Sequence, residues 1–214
     1  MLFVDSFYKY AKNAFIDHTY LFIFLLVYSL ICWISGYFLA DVFFTRSELV
    51  DYQYLAQETF FSFNDMMDII INNCSLNVEC YIESIFFGLS ALYDIALNLG
   101  TWGVVSRATE HACGDPFLFI KLTFLHGFFE DFSLILNGFA GIILFSFIAR
   151  FIKNLFRPRE ILSSGRFSNS WQINKKHLYE SLTIFIIALV MMIFAGFLEE
   201  YISIPVGYIV ASML

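Results

Sequence analysis

The sequence predicts an all-α fold: a polytopic transmembrane helical bundle of about five membrane segments, one of them broken or short. Three observations lead there. Of 214 residues, 59% are hydrophobic and only 14% are charged, whereas a soluble domain is roughly half apolar and a quarter charged. Three stretches carry no charge at all: Leu21–Ala40, Phe132–Ala149 and Ser181–Leu198. Each is about long enough for a helix to cross a hydrocarbon core of about 30 Å. The charges that remain are segregated by sign along the chain. Such a chain cannot coat a water-facing surface, which argues against a disordered chain, a nucleic-acid-binding module and a cytosolic enzyme. The lipid bilayer is its expected partner.

Residues 1–18 read as an interfacial amphipathic helix. Phe3, Phe7, Ala11 and Ala14 share one face, with Tyr10 beside them, and Asp5, Lys9, Lys12 and Asn13 occupy the other. A plain extension of the first span fits nearly as well. No cleavable signal is expected, because the first apolar run is a full span. Residues 19–44 form the first transmembrane helix, with Ser29, Cys32, Gly36 and Ala40 as a small, polar stripe. Residues 45–72 follow as an extracytoplasmic helical segment. Thr45 and Glu48 have capping-box spacing, and Phe60, Phe61, Phe63, Met66 and Met67 suit a helix folded back on the bundle or the bilayer better than a docking surface.

Residues 73–214 make the rest of the bundle. From Val78 to Ser106 the chain is apolar but interrupted by Glu79, Glu83 and Asp94, with glycines at Gly88, Gly100 and Gly103. That pattern predicts a hairpin, one helix over 74–97 and a short, poor one over 98–112. Arg107, Glu110 and His111 are ill suited to face lipid there. Spans at 128–150 and 181–203 complete the count.

Basic residues set the orientation. Arg150, Lys153, Arg157, Arg159, Arg166, Lys175 and Lys176 are seven of the chain's twelve, and Glu160 is the single acid among them. Lys and Arg collect on the cytoplasmic side of short loops. This places a basic cytoplasmic loop at 150–180 and, with Lys9 and Lys12, a cytoplasmic N-terminus. The acidic 45–72 segment lies outside. Five crossings then give a multi-pass protein of the cell membrane with its C-terminus extracytoplasmic.

Chemistry-bearing motifs are sparse. There is no phosphate-binding glycine loop, no H-E-x-x-H helix and no G-x-S-x-G elbow. Cys32, Cys74, Cys80 and Cys113 form no C-x-x-C pair, and isolated buried thiols are expected over a disulfide involving Cys113. No enzyme activity, cofactor or metal site is expected. What stands out is polar groups inside apolar spans. His126 and Glu130 share a helix face, extended by Ser133, Asn137 and Gly141. The last span repeats the device with Ala188, Met192, Ala195, Glu199 and Ser203. The candidate functional residues are His126, Glu130, Asp131, Glu199, Glu83 and Asp94. Gly36, Gly127, Gly138, Gly141 and Ala195 are the candidate helix-packing positions.

His126-Gly127-x-x-Glu130 opening a helix, a basic inner loop, and a last helix carrying Ala195, Glu199 and Pro205 resemble the stage II sporulation protein M family. Asn72-Asn73 resembles the family's paired asparagines before the second helix. Asn98 with Gly103 resembles its N-G-x-x-x-G element, with Leu99 in place of the first glycine and Leu125 where a proline precedes the histidine. The resemblance implies a helical membrane protein without an established enzymatic site. In spore formers the namesake anchors peptidoglycan-degrading partners during engulfment.

Two classes of function stay open. In one, the protein is a membrane scaffold or assembly subunit, bound to membrane-protein partners or to its own copies, and the polar stripes hold helices together. In the other, it is a transporter or channel component whose path is lined by the intramembrane carboxylates, Glu200 included, and His126. The scaffold stands first for want of a substrate signature. Geometry separates the two: carboxylates converging on an accessible cavity favour transport, whereas carboxylates paired in a closed bundle favour the scaffold.

Overall fold

The structure is a computed structural model that describes residues 2–44, 63–86, 88–115, 117–156, 166–203 and 205–206. Among them are six α-helices, one π-helical turn and no strand: α1 (Leu2–Asp17), α2 (Thr19–Phe43), α3 (Phe63–Glu83), α4 (Leu89–Cys113), α5 (Leu118–Leu155), α6 (Arg166–Leu198) and the π turn Glu199–Ser203. Among the described residues, three helices are long and apolar enough to cross a membrane: Thr19–Phe43, Leu118–Leu155 and Phe167–Ser203. The capping pair Thr45 and Glu48, the aromatics Phe60 and Phe61, and Arg157, Arg159 and Glu160 lie outside the described residues, as does the side chain of Cys113. Cys32, Cys74 and Cys80 are free thiols.

α5 is the axis of the bundle. Its 38 residues extend about 57 Å at the helical rise, well beyond a hydrocarbon core of about 30 Å. Phe139, Leu136 and Ile143 are fully buried on it, against Ile95 of α4, Ile184 of α6 and Leu25 of α2. Polar side chains tie the neighbours to it. Ser133 Oγ donates to the Ala188 carbonyl at 2.7 Å, and Ser181 Oγ donates to the Ala140 carbonyl at 2.7 Å. Asn137 Nδ2 donates to the Asn77 carbonyl at 3.0 Å, and the Tyr81 hydroxyl stands 2.8 Å from Ser181 Oγ. In an apolar solvent such contacts replace the hydrophobic effect as helix adhesive.

α2 shows how the chain meets that solvent. Only Leu25, Ser29 and Ala40 are buried along it, while Phe24, Val27, Leu30, Ile31 and Phe38 face outward. An apolar face of that size suits lipid rather than water. Its inner face lies against α4, which runs alongside it from the Tyr28 hydroxyl, 3.2 Å from the Leu92 carbonyl, to the Asp41–Arg107 pair. A Cβ at Gly36 would overlap the Gly100 carbonyl, and one at Gly103 would overlap the Trp33 carbonyl. The two backbones touch there.

The hairpin differs from the sequence expectation. Its break falls at residues 84–88, not at 97/98. Gly88 takes a left-handed conformation, φ 65°, which glycine adopts without the steric penalty a Cβ imposes. Asn98, Gly100 and Gly103 lie within α4, where the glycines serve the contact with α2 rather than a turn. The hairpin turn meets α5 near its middle, with Ser84 against Gly141 and Gly88 against Ile142.

The 150–180 stretch, expected as a loop, is helical over 150–155 and 166–180. Phe147 packs on Trp171 and Phe151 on Phe167, so aromatic contacts extend α5 and α6 into the basic region. α1 folds back on α6, with Tyr10 against Tyr179 at 5.2 Å and Ala14 fully buried. The Asp17 carboxylate accepts a hydrogen bond from the Lys176 ammonium, which holds its carboxyl below the usual range. A lowered folded-state pKa contributes stability above the unfolded value, and the contribution fades as pH falls through the folded one. Asp17→Asn should therefore melt below wild type at pH 7, and the gap should close below about pH 4. Paired thermal denaturation curves across that range check it. A gap that widens in acid would contradict the pairing.

Candidate functional site

The start of the expected polar stripe on α5, His126 and Glu130, faces the end of α6. There the α-helix gives way to the π turn at Glu199–Ser203, a widened form found mostly as single turns and often at functional sites. Ser203 Oγ stands 2.6 Å from His126 Nδ1. His126, Glu130 and Glu199 each bring a ligand-type atom within 4.8 Å of the other two. His126 is 7% exposed, Ser203 8%, and Met192 and Ala195 beside them are buried.

Two cavities adjoin this cluster. The first, ≈ 200 Å³, is lined by the carboxylates of Glu79, Glu83, Asp94, Glu130 and Asp131, with Asn73, Asn77 and Trp102. The second, ≈ 410 Å³, is lined by His126, Glu130 and Glu199, with Asn72, Asn73, Thr101, Trp102 and Thr123. Glu130, Asn73 and Trp102 belong to both. Neither lining contains a Lys or Arg among the described residues. Among the described residues, Glu130, Asp131 and Glu199 make no hydrogen bond or ion pair. All six candidate functional residues thus line one or other cavity. Glu200 lines neither and is buried at 1% exposure.

The helix-packing candidates lie at interfaces. A Cβ on Gly127 would meet Trp102, one on Gly138 would meet Ile95, and one on Gly141 would meet Ser84. Ala195 is 2% exposed. Arg107, Glu110 and His111, misfits for lipid, are accounted for by α2. Arg107 Nε donates to Asp41 Oδ2 at 2.8 Å, His111 Nε2 lies 2.6 Å from Asp41 Oδ1, and the Tyr37 hydroxyl and Arg107 both donate to Glu110.

Sequence reasoning missed a second cluster, at the α1–α2 junction. Glu180 is 0% exposed, with His177 Nδ1 at 3.2 Å, Lys176 Nζ at 3.4 Å and His18 Nε2 at 3.6 Å. Arg150 donates to His177 Nε2 at 3.1 Å, which leaves the Nδ1 proton to Glu180. The i,i+3 pair His177–Glu180 was visible in the sequence. Nothing local pointed to His18, which comes from the opposite end of the chain.

No curated protein and no solved structure matches the chain. The model of the family described as stage II sporulation protein M matches residues 19–204. That range takes in α2 through the π turn, hence both cavities and the polar cluster between them. The match covers most of the sequence, so the chain belongs to the stage II sporulation protein M family.

Proposed function

We propose that this membrane protein moves a cation across the bilayer, alone or as the membrane component of a larger transporter. One observation carries the reading: carboxylates from α3, α4, α5 and the π turn line two adjoining cavities that no described Lys or Arg lines, and Glu130 belongs to both. A charged carboxylate at membrane depth costs several kcal/mol unless it is paired or hydrated. Protons or metal cations must supply what the protein does not. A row of such groups offers successive sites for exchange.

The scaffold reading draws support from a different observation. The buried hydrogen bonds at Ser133, Asn137 and Ser181 lock α3, α5 and α6 together, and the outward apolar face of α2 has room for another subunit. Flux separates the two. In liposomes reporting proton and Mn²⁺ entry, wild type should carry flux, and Glu130→Gln should lower it about tenfold or more, equivalent to about 1.4 kcal/mol of barrier. Inert wild-type liposomes, with a stable partner co-purifying, would favour the scaffold.

A further inference from the structure

We propose that His126, Glu130 and Glu199 form a binding site for one divalent first-row transition-metal ion, with Ser203 as a positioning residue. The proposal deepens the cation-transport reading by naming the ion class, and rests on it for the purpose of the site but not for its geometry.

The donor set comes from two elements, His126 and Glu130 on α5 and Glu199 on the π turn, with ligand atoms mutually within 4.8 Å. Donors around a four-coordinate zinc stand about 3.4 Å apart, given bonds of about 2.0–2.2 Å. Side-chain rotation of roughly an ångström closes the difference. The imidazole is already oriented. Ser203 engages Nδ1, and among the described residues Nε2 has no hydrogen-bond partner. Metal-bound histidines are held in this way, one nitrogen on the metal and the other on an outer partner.

Charge points the same way. Among the described residues no Lys or Arg lines the cavity that Glu130 and Glu199 share, and charges taken out of water are paired or coordinate metals. The site at Glu180 is the internal contrast. It too brings two histidines and a carboxylate together, but Lys176 and Arg150 already provide the positive charge there. One imidazole nitrogen with carboxylate oxygens suits Zn²⁺, Mn²⁺, Fe²⁺ or Co²⁺, whereas Ca²⁺ and Mg²⁺ take all-oxygen shells. Asn72, Asn73, Thr101 and Thr123 around the cavity can hydrogen-bond waters that fill the remaining positions. The His126–Glu130 spacing is legible in the sequence, but nothing local joins Glu199 to it, because Glu199 lies on a different element.

Co²⁺ is the probe, since its visible absorption reports the ligands around it. Detergent-purified full-length protein should bind one equivalent per chain, displaced by Zn²⁺. His126→Ala and Glu199→Gln should each weaken binding more than tenfold. Ser203→Ala should weaken it about tenfold while leaving the monodisperse, folded protein intact. His177→Gln, at the Glu180 cluster and outside both cavities, should bind as wild type does. Folded wild type that binds no Co²⁺, or binding unchanged in both His126→Ala and Glu199→Gln, would overturn the site. The flux assay keeps the two readings apart. Binding without flux preserves the site and removes transport, and flux without binding does the reverse.

Discussion

Gly103→Ala and Gly36→Ala should each destabilise the bundle by about 3 kcal/mol, at the upper end for overpacking. The added methyl at either position meets backbone, the Trp33 carbonyl or the Gly100 carbonyl, and not the end of a flexible side chain. No rotamer relieves that contact. The helices must separate, and the Tyr28–Leu92 and Asp41–Arg107 contacts along the same interface go with them. Loss of monodisperse protein on heating in detergent is the measurement, with an expected shift of roughly 6–12 °C. Gly114→Ala is the control for glycine loss without crowding, since a Cβ there meets nothing within 4 Å, although its φ of 74° adds a smaller strain of its own. Wild-type melting of Gly103→Ala would mean that α2 and α4 are not in backbone contact.

Glu180→Ala should be the second large effect, about 3 kcal/mol. That is the low end for breaking a buried pair, because Lys176 is 47% exposed and can turn to water. The loss leaves His18 and His177 without their carboxylate and Lys176 with Asp17 alone. It also opens a cavity at a fully buried position. Glu180→Gln keeps the volume and one acceptor, so its cost should be smaller, about 1–2 kcal/mol. Because α1 is held to α6 through this region and the Asp17–Lys176 contact, limited trypsin cleavage at Lys9 and Lys12 should accelerate in Glu180→Ala. Equal cleavage and equal melting in both variants would show that the cluster holds nothing.

These residues also show where sequence reading succeeds and where it stops. The long apolar runs at Leu21–Ala40 and Ser181–Leu198 fall inside helices because hydropathy and helix formation are both local properties. The His126–Glu130 pairing is local too, set by one helical turn. The hairpin break was misplaced because Gly100 and Gly103 look like turn residues until α2 is beside them. Arg107 and Glu110 looked wrong for a membrane helix because their partners, Asp41 and Tyr37, are 66 and 73 residues away.

The scarcity of charge therefore determined, from sequence alone, that the chain is a membrane helical bundle, and it named the carboxylates to watch. Tertiary structure decided what those carboxylates meet. Glu130 gained Glu199 through the π turn, in a cavity that no described Lys or Arg lines, whereas Glu180, which the sequence did not single out, gained His18 beside its local His177 and Lys176. The physical reason is range. Helix formation and hydropathy act over a few residues, while the cost of a charge in a bilayer depends on groups within a few ångströms, and only packing brings distant segments that close.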